Sequence, residues 1–489
     1  MADYRLGFES CDTEYAGVDL PVEGSIPNWL DGTLLRNGPG KFESGEPRSA
    51  SPNERAQPTE SREQGGERLA HWFDGLALLR KFAVCDGTVT YTNRFLRTRE
   101  YRSVVEGDGL GAGQFGTDAS RGILSRLKAA VLPESTDNAN VNVMRAGDAF
   151  LALTEVPERV AFDPGTLETE GSWSFDDDHD GHMACAHPVV DPETGATFNL
   201  TVSFGRDTDY VVTRLPAGET AREVVGTVSL SDAVYVHSFA LTPEHVVIVA
   251  CPLVVDVLGL LRPGGHDTFL DALDWHPERP ARFVVLSRET GDVVSAPTAP
   301  PFFTFHHVNA FRRGDDLVVD LVAFPDASVL TDLTLSALDA GSVTQLDGDL
   351  RRYRVPLDGD RTTHETLESG GLSLPRFDER RRGRPYRYVY ANRAGDDGRA
   401  PNHLVRVDCR TGETRVWAAA DAFCGEPVVV PRPGGEEGDG VVLSVVLDTE
   451  REQSFLLVLD ADSFEEVARA WTPHVLPFDF HGQFFRGIQ

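Results

Sequence analysis

Short runs of apolar and β-branched residues recur along the whole chain, and turn-forming residues separate them. Phe283–Ser287 and Leu404–Val407 are two such runs, and each precedes a polar turn that ends in Thr-Gly. Strand candidates on both sides of such a turn predict a β-hairpin whose glycine has a positive φ. Turns of this form occur at Asp191–Gly195, Arg288–Gly291 and Asp408–Gly412, with weaker examples at Asp163–Thr166 and Asp460–Ser463.

Helical periodicity is scarce, so these hairpins follow one another without helices between them. The pattern predicts an all-β fold of antiparallel sheets, in a sandwich, a barrel or a propeller. Roughly seven units of roughly 70 residues would fill the chain, which favours a propeller that carries long insertions. We expect residues 1–489 to form one domain, since barrels and propellers often run long as single units.

Three segments have the composition of insertions. Residues 43–68 are rich in Ser, Glu, Pro, Gly and Arg, which predicts a mobile surface loop. Gly109–Val131 begins glycine-rich and ends in a predicted helix, Ile123–Val131. Pro252–Pro263 contains a continuous apolar stretch. The last two segments either cap the sheets and form an apolar entrance, or fill the core.

The charge of the chain is strongly acidic, with a net charge of −31 and only three lysines, Lys41, Lys81 and Lys128. An acid-rich, lysine-poor surface stays hydrated in molar salt, where charge repulsion is screened within about 3 Å. We therefore interpret the chain as halophilic and archaeal, with an ordinary acidic protein as the alternative. In either case the acidic surface repels the phosphate backbone of a nucleic acid, so we predict no nucleic-acid partner.

The sequence carries neither a membrane span nor a signal for export. No stretch reaches the roughly 18 consecutive apolar residues of a spanning helix, and Met1–Arg5 has neither a basic nor an apolar region of a signal peptide. We expect a cytoplasmic protein. Its six cysteines are scattered without a C-x-x-C pair, which indicates free, buried thiols.

Four histidines lie in separate strand-like segments: His187, His237, His306 and His481. Their spacings of 50, 69 and 175 residues exceed those of a local zinc site, in which ligands are a few residues apart. They can meet only where a fold brings the same end of several repeated units to one axis. An all-imidazole set suits iron, copper or zinc. On a metal that prefers six ligands, two positions would stay open for oxygen and substrate.

Two neighbours of these histidines are less certain ligands. Adjacent strand residues face opposite ways, so at most one of His306 and His307 points to a given axis. Cys185 lies two residues before His187, on the same face of a strand. It is either a neighbour of the metal or, as we favour, a small buried hydrophobe. We interpret the remaining histidines of interest as surface or packing residues: His71, His179, His182, His245 and His474.

Further motifs accompany the histidines in a fixed order: Leu34–Gly40, His71–Gly75, Asn138–Asn142, Ala152–Glu155, Arg384–Tyr388 and Gly425–Val428. Together with the four histidine segments, they make the chain resemble the carotenoid cleavage oxygenases from about Gly17 to Phe485. That family includes the retinal-pigment-epithelium isomerohydrolase and the lignostilbene dioxygenases. We take Arg36–Pro39 and His71–Gly75 as structural motifs that close the propeller and form buried polar pairs.

The resemblance implies a seven-bladed β-propeller with a dome of loops and helices over one end. It also implies ferrous iron, Fe(2+), held on the axis by His187, His237, His306 and His481. The family register selects His306 rather than His307.

The family supports three of its histidines with glutamates, which fix ring orientation and raise ligand basicity. Glu155 and Glu426 match two of these positions, behind His237 and His481. Both occur in apolar strands, where a buried Glu needs a partner; the alternative is an ordinary surface acid. The third position holds Ser373, which could accept the His306 N–H directly or through water. Glu365 or Glu368 would substitute if the register shifts.

The implied reaction is cleavage of a C=C double bond of a carotenoid or apocarotenoid by O2, to give two carbonyl products. Thr154 matches a threonine whose methyl group narrows one open position at the metal. An apolar polyene implies an apolar tunnel and a peripheral membrane contact near Pro252–Pro263. Four aromatic residues are either tunnel-lining or core residues: Phe302, Phe303, Phe305 and Phe485.

Three alternatives stay open. Stilbene cleavage would use a tyrosine and a lysine, for which Tyr101 is available but Lys128 is a poor match. A non-oxidative isomerohydrolase has the same set of histidines. A non-catalytic propeller scaffold is favoured only by the departure at Ser373.

Overall fold

The computed structural model describes residues 3–43, 68–107, 109–118, 135–262, 264–341, 347–395 and 400–488. The interior of the predicted loop 43–68 lies outside this part of the chain, although its end residues Glu43 and Arg68 form an isolated antiparallel bridge. The predicted helix Ile123–Val131 and Lys128 also lie outside the described residues.

Strands dominate the described residues, as the alternation of apolar runs and turns predicts. In the first half of the chain they are β1 Tyr15–Asp19, β2 Val22–Gly24, β3 Gly32–Lys41, β4 Leu76–Cys85, β5 Thr88–Phe95, β6 Asn142–Ala146, β7 Ala149–Leu153, β8 Arg159–Phe162, β9 Thr169–Trp173, β10 Met183–Ala184, β11 Val189–Val190, β12 Thr197–Ser203, β13 Thr208–Leu215, β14 Glu223–Leu230, β15 Ala240–Leu241, β16 His245–Ala250 and β17 Leu253–Val255.

The second half continues in the same way. Its strands are β18 Leu273–Trp275, β19 Ala281–Ser287, β20 Val293–Ser295, β21 Thr298–Ala299, β22 His307–Arg313, β23 Asp316–Ala323, β24 Asp349–Pro356, β25 Thr363–Glu368, β26 Leu372–Arg376, β27 Tyr388–Ala394, β28 Pro401–Asp408, β29 Thr414–Ala418, β30 Ala422–Cys424, β31 Val428–Pro431, β32 Gly440–Asp448, β33 Gln453–Asp460, β34 Glu466–Trp471 and β35 His481–Phe485.

These strands form seven antiparallel sheets, and a separate two-stranded sheet of β17 and β18, in the described part of the chain. The seven sheets are the blades of a β-propeller, which confirms the predicted fold. In order they are blade 1 (β1, β3, β4, β5 and β35), blade 2 (β6–β9), blade 3 (β10–β14), blade 4 (β15, β16 and β19–β21), blade 5 (β22–β25), blade 6 (β26–β29) and blade 7 (β2 and β30–β34).

Both ends of the chain join in closing the ring. The last strand, β35, pairs with β3 in blade 1, where His481 lies opposite Asn37. An early strand, β2, pairs with β34 in blade 7, where Val22 lies opposite Ala470. Because strands far apart in sequence share two sheets, the C-terminal His481 is fixed in the core rather than left on a free end.

The burial of each strand explains its composition. Central strands lie between two neighbouring blades and are apolar on both faces, as in β33, where the six residues from Ser454 to Leu459 are buried. Outer strands face solvent; in β25, the four residues from Thr363 to Thr366 are exposed. Continuous apolar runs therefore mark the middle of a blade, and polar runs mark its edge.

The predicted hairpin turns are confirmed in their backbone geometry. Gly195, Gly291 and Gly412 have φ values of 69°, 77° and 74°. The N–H of each donates to the carbonyl oxygen four residues earlier at 2.8–2.9 Å. The two weaker turns have the same hydrogen bond, but Leu167 and Phe464 occupy the left-handed position, both with φ 61°.

Short helices occur between the strands, and several of them form, together with loops, a dome over one end of the propeller. The described α-helices are α1 Arg99–Val105, α2 Val257–Leu261, α3 Val329–Asp332 and α4 Leu335–Ala340; the 3₁₀ helices are Tyr4–Phe8, Trp72–Asp74, Leu270–Ala272 and Glu379–Arg381. Segments of this dome bind one another: His71 Nε2 lies 2.8 Å from the Leu330 carbonyl oxygen, and Leu270 N–H donates to the Phe115 carbonyl oxygen at 2.8 Å.

The apolar segment after Pro252 divides between the two predicted roles. Leu253 and Val255 in β17 are buried in the core, whereas Leu258 and Leu261 in α2 are each 70% exposed. Among the described residues, no helix has both the length and the apolar character needed to cross a membrane.

Candidate metal centre

The four histidines selected from the sequence lie together at the axis. One ring nitrogen from each of His187, His237, His306 and His481 falls within 4.8 Å of the others. The Nε2 atoms of His187 and His237 are 2.9 Å apart, and those of His306 and His481 are 3.3 Å apart. Nitrogen lone pairs that converge at such distances repel one another unless a proton or a metal ion lies between them, and a metal ion fits the arrangement because it can bind all four nitrogens.

Each histidine enters the axis at the edge of a blade. His187 lies between β10 and β11, where the following Pro188 favours an extended backbone. His306 directly precedes β22, and His481 begins β35. The propeller thus brings equivalent ends of its innermost strands to one point, as the wide sequence spacings require.

Three of the four histidine rings are held in their neutral form. Burial lowers the pKa of His187 and His306, and the other histidines of the cluster lower it further. Burial also lowers the pKa of His481, although the Glu426 carboxylate opposes this effect. Neutral imidazole is the state that binds a metal, so folding prepares these three ligands before any metal arrives.

Glu155 lies behind His237, just after the end of β7. Its Oε1 accepts a hydrogen bond from His237 Nδ1 at 2.6 Å, which leaves Nε2 free to face the axis. Tyr235 completes the group: its hydroxyl is 2.9 Å from both Glu155 oxygens and 3.0 Å from His237 Nδ1. The sequence motifs do not include Tyr235, although its position two residues before His237 is consistent with this contact.

Glu426 lies behind His481 in a network of buried charges. Its Oε1 accepts from His481 Nδ1 at 2.8 Å, and Arg36 and Arg376 form ion pairs with the same carboxylate. Arg36 also pairs with Asp479 at 2.5 Å. Burial raises the pKa of Glu426, but Arg376, His481 and Arg36 outweigh burial and hold that pKa well below its usual range. The carboxylate is therefore charged at neutral pH.

His306 lacks a comparable carboxylate. Ser373 Oγ donates to Asn392 Oδ1 at 2.5 Å, and no hydrogen bond joins Ser373 to His306 among the described residues, so the expected direct bond is not formed. The two substitutes suggested by the sequence are also wrong. Glu365 is exposed on the outer strand β25, and Glu368 bonds to Arg393 and Thr414.

A cavity of about 400 Å³ opens beside His237, His306 and His481. Most of its walls are apolar and aromatic, and the polar groups that line it include Thr154, Glu155 and Ser373. The cavity therefore suits a long apolar molecule held against the histidine cluster.

The lining decides between the two roles left open for the aromatic candidates and corrects the roles predicted for three other residues. Of the four candidate aromatic residues only Phe305 lines this cavity; Phe302 and Phe303 are buried in the core, and Phe485 packs against Phe150 with ring centres 5.2 Å apart. The lining also contains Trp72, Phe73 and His182, for which the sequence predicts structural, surface or packing roles.

The two less certain ligand candidates lie outside the cluster. His307 Nδ1 is 2.8 Å from Ser238 Oγ, away from the axis. The buried Cys185 thiol donates to the His237 carbonyl oxygen at 3.0 Å, so it supports the backbone of a histidine rather than joining the nitrogen cluster. All six cysteines are free thiols.

Comparisons with known proteins agree with this geometry. The family model described as retinal pigment epithelial membrane protein matches residues 8–486. The carotenoid isomerooxygenase of Galleria mellonella is 32% identical over 99% of this chain and 96% of its own length. The chloroplastic carotenoid cleavage dioxygenase 8 of Arabidopsis thaliana is 33% identical over 98% of this chain and 85% of its own.

Solved structures give the same result. A Glu150Gln mutant of the Synechocystis apocarotenoid oxygenase superposes with a TM-score of 0.84 at 26% identity, and the match covers 99% of this chain and 98% of that one. A cobalt-substituted form of the Synechocystis protein superposes with a TM-score of 0.85. With its propeller, its four axial histidines and these relatives along nearly its whole length, the chain belongs to the retinal pigment epithelial membrane protein family of carotenoid oxygenases.

Proposed function

We propose that the protein is a non-haem Fe(II)-dependent dioxygenase that cleaves a C=C double bond of a carotenoid or apocarotenoid with O2, giving aldehyde or ketone products. The observation that carries this proposal is the opening of a mostly apolar cavity directly onto the four-histidine cluster. The names of the relatives, which include carotenoid dioxygenases of mouse and human, support the same substrate class.

Iron would be held by His187, His237, His306 and His481. A set of four neutral nitrogen donors suits iron, and the bound metal would supply the activation of O2. The other groups belong to the chain. Glu155 and Glu426 accept the outer ring protons and so fix the direction of the inner nitrogen lone pairs.

The reaction needs little further chemistry from the protein. An alkene and one O2 molecule together contain every atom of the two carbonyl products, so no proton has to be added or removed. The cavity walls would hold the polyene, exclude water and choose which double bond lies against the cluster. Thr154, next to Glu155 on the wall, would narrow access to the metal with its methyl group.

The proposal is tested with anaerobically purified protein that has been loaded with Fe(II). We expect incubation with a carotene or an apocarotenal under ¹⁸O2 to give two carbonyl products, each with one heavy oxygen when extracted quickly for mass spectrometry. The His306→Ala variant should give neither product. Iron-loaded protein that only isomerises the polyene, or returns it unchanged, would refute the dioxygenase.

The stilbene alternative gains nothing from the structure. Tyr101 packs near Phe95 and Arg97 instead of lining the cavity beside the histidines. The isomerohydrolase and the non-catalytic scaffold remain outcomes of the same experiment, since either would leave the labelled products absent.

We also propose that the protein meets its substrate at a membrane surface. Leu258 and Leu261, exposed on α2, are apolar groups near Leu260, which lines the cavity. A single domain over residues 1–489, a cytoplasmic location, a halophilic origin and the absence of a nucleic-acid partner stay predictions from the sequence.

A further inference from the structure

A second cavity lies at the end of the propeller opposite the histidine centre. His306 directly precedes β22, and Arg313 ends that strand, which places the two residues about 23 Å apart at roughly 3.3 Å per residue. The second cavity has a volume of about 570 Å³. Five arginines line it: Arg313, Arg352, Arg381, Arg387 and Arg410.

Three of these arginines already face carboxylates. The ion pairs are Arg352 with Asp320 at 2.8 Å, Arg387 with Asp408 at 2.7 Å, and Arg381 with Glu437 at 3.6 Å. The backbone N–H groups of Arg387 and Tyr388 also donate to Glu437, at 2.6 and 3.0 Å. These pairs build the wall of the cavity and offer little charge to a ligand.

Arg313 and Arg410 are different. Both are exposed beside hairpin turns, one between β22 and β23 and the other between β28 and β29. Within the described ranges neither guanidinium forms an ion pair. The Arg313 guanidinium lies 5.5 Å from the centre of the Phe311 ring, which restricts its position. Two free guanidinium forks in one cavity match the oxygens of an oxyanion.

The charge of the cavity contrasts with that of the chain. Its five arginines exceed the four nearby carboxylates of Asp320, Asp408, Glu436 and Glu437 by one positive charge, whereas the whole chain carries −31. The volume lies within the range of small-molecule sites. We propose that this cavity binds a small molecule that bears an oxyanion, of the phosphate or polycarboxylate class, and that Arg313 and Arg410 hold the oxyanion.

Acidic groups limit the size of the ligand. Glu436 is exposed at the cavity, and the acidic surface beyond it repels a long polyanion. A nucleic-acid strand or an anionic protein segment would have to cross that surface, whereas a small anion can lie inside the cavity, where the arginines outnumber the carboxylates. The site is thus suited to a free small molecule.

The test is calorimetric titration of the iron-loaded protein with inorganic phosphate and, separately, with citrate, with chloride added to hold the ionic strength constant. We expect saturable binding of at least one probe at one site per chain, and the tighter probe identifies the class. Joint Arg313→Gln and Arg410→Gln substitution should weaken binding at least about tenfold, because charge-assisted hydrogen bonds are lost.

Arg282→Gln is the matched control, since Arg282 is an exposed arginine on β19 of blade 4 and does not line the cavity. It should leave the affinity unchanged. Thermal unfolding shows whether the double variant is folded. We expect it to fold, because both substitutions lie at exposed positions beside turns. Absence of saturable binding to either probe in the wild-type protein would overturn the proposal. So would binding that persists unchanged in the double variant, because the anion would then lie elsewhere, for example at the iron.

Discussion

His306 and His307 are consecutive in the chain, yet their rings lie on opposite sides of it. His306 Nε2 is 3.3 Å from His481 Nε2, whereas His307 Nδ1 is 2.8 Å from the hydroxyl of Ser238. The alternation of side chains at the start of β22 separates the two rings. Within the proposed centre, the pair therefore provides a ligand and a control of the same residue type.

We expect His306→Ala to lower iron binding sharply and His307→Ala to leave it nearly unchanged. Loss of a group that only supports a ligand lowers metal affinity by about tenfold or more, so loss of a ligand itself should lower the affinity for iron by at least about that factor. Iron per chain is measured by mass spectrometry after anaerobic purification and Fe(II) loading. Equal loss of iron in the two variants would place the metal away from the axis or show that His307 is essential for folding.

Glu155 and Glu426 have similar roles in our proposal but different surroundings. The Glu426 side chain is 1% exposed and neutralises Arg36, which is 2% exposed. Removing one partner of a buried ion pair costs about 3–5 kcal/mol. The Glu155 side chain is 18% exposed, and hydrogen bonds rather than ion pairs with arginine hold it.

Glu426→Gln should therefore lower the free energy of unfolding of the metal-free protein by about 3–5 kcal/mol. Glu155→Gln should lower it by about 1 kcal/mol, the cost of a weakened hydrogen bond. Urea denaturation of the metal-free variants measures both values. Equal destabilisation would show that the Arg36 pair contributes nothing beyond the histidine contact.

Features that a short segment determines could be predicted from the sequence, whereas contacts between distant segments could not. The positive φ of Gly195 follows from a five-residue turn, and the strand type follows from apolar runs, so both could be predicted. The contact of Arg36 with Glu426 could not, because it joins residues 390 positions apart, one on β3 of blade 1 and the other just after β30 of blade 7. Local motifs placed Arg36 in the interior but gave no indication of its partner.

The aromatic run before His306 shows the same limit. Alternation along a strand would place Phe303 and Phe305 on one face. In the structure Phe303 forms an isolated bridge with Phe324, and only Phe305 reaches the cavity. Phe324, directly after β23, pairs with Phe303 and decides its environment, and no pattern near Phe303 specifies that partner.

Ser373 offers a test of the departure from the family pattern. Because its hydroxyl donates to Asn392 and not to His306, Ser373→Ala should change iron affinity by less than about threefold, well below the tenfold or more expected for a supporting group. Competition with a chelator of known affinity measures the change. A tenfold loss would mean that Ser373 supports His306, for instance through a water molecule.

His71 should make the stability of the protein sensitive to acid. Burial lowers its pKa to about 4, against about 6.5 in an unfolded chain. Below pH 6.5 the unfolded chain therefore binds a proton that the folded chain does not bind until about pH 4. The stabilising contribution is complete above pH 6.5 and is lost as the pH falls, by about 2 kcal/mol at pH 5.

The measurement is urea denaturation at pH 7.5 and pH 5.0 in the wild-type protein and in His71→Gln. Glutamine can still donate to the Leu330 carbonyl oxygen but does not titrate, so the variant should lose about 2 kcal/mol less between the two pH values. Other histidines contribute equally to both proteins and cancel in the difference. The same loss in both would show that His71 is not protonated on unfolding.

Gly482 lies beside His481 in the strand that closes the propeller. A Cβ atom at this position would be 2.1 Å from the Leu35 carbonyl oxygen and 2.6 Å from Arg36 Cδ. Since the nearer atom belongs to the backbone of β3, Gly482→Ala must push β35 away from its partner. We expect a loss of about 1–3 kcal/mol in the free energy of unfolding and reduced iron content, because His481 moves with the strand.

Gly113→Ala is the matched control, since a Cβ atom there has no neighbour within 4 Å and its φ is not positive. It should leave both stability and iron content unchanged. If Gly482→Ala lowered stability without any loss of iron, the position of His481 would not depend on the β3–β35 pairing. If it changed neither quantity, β35 would tolerate displacement, and ring closure would rest on the β2–β34 pair instead.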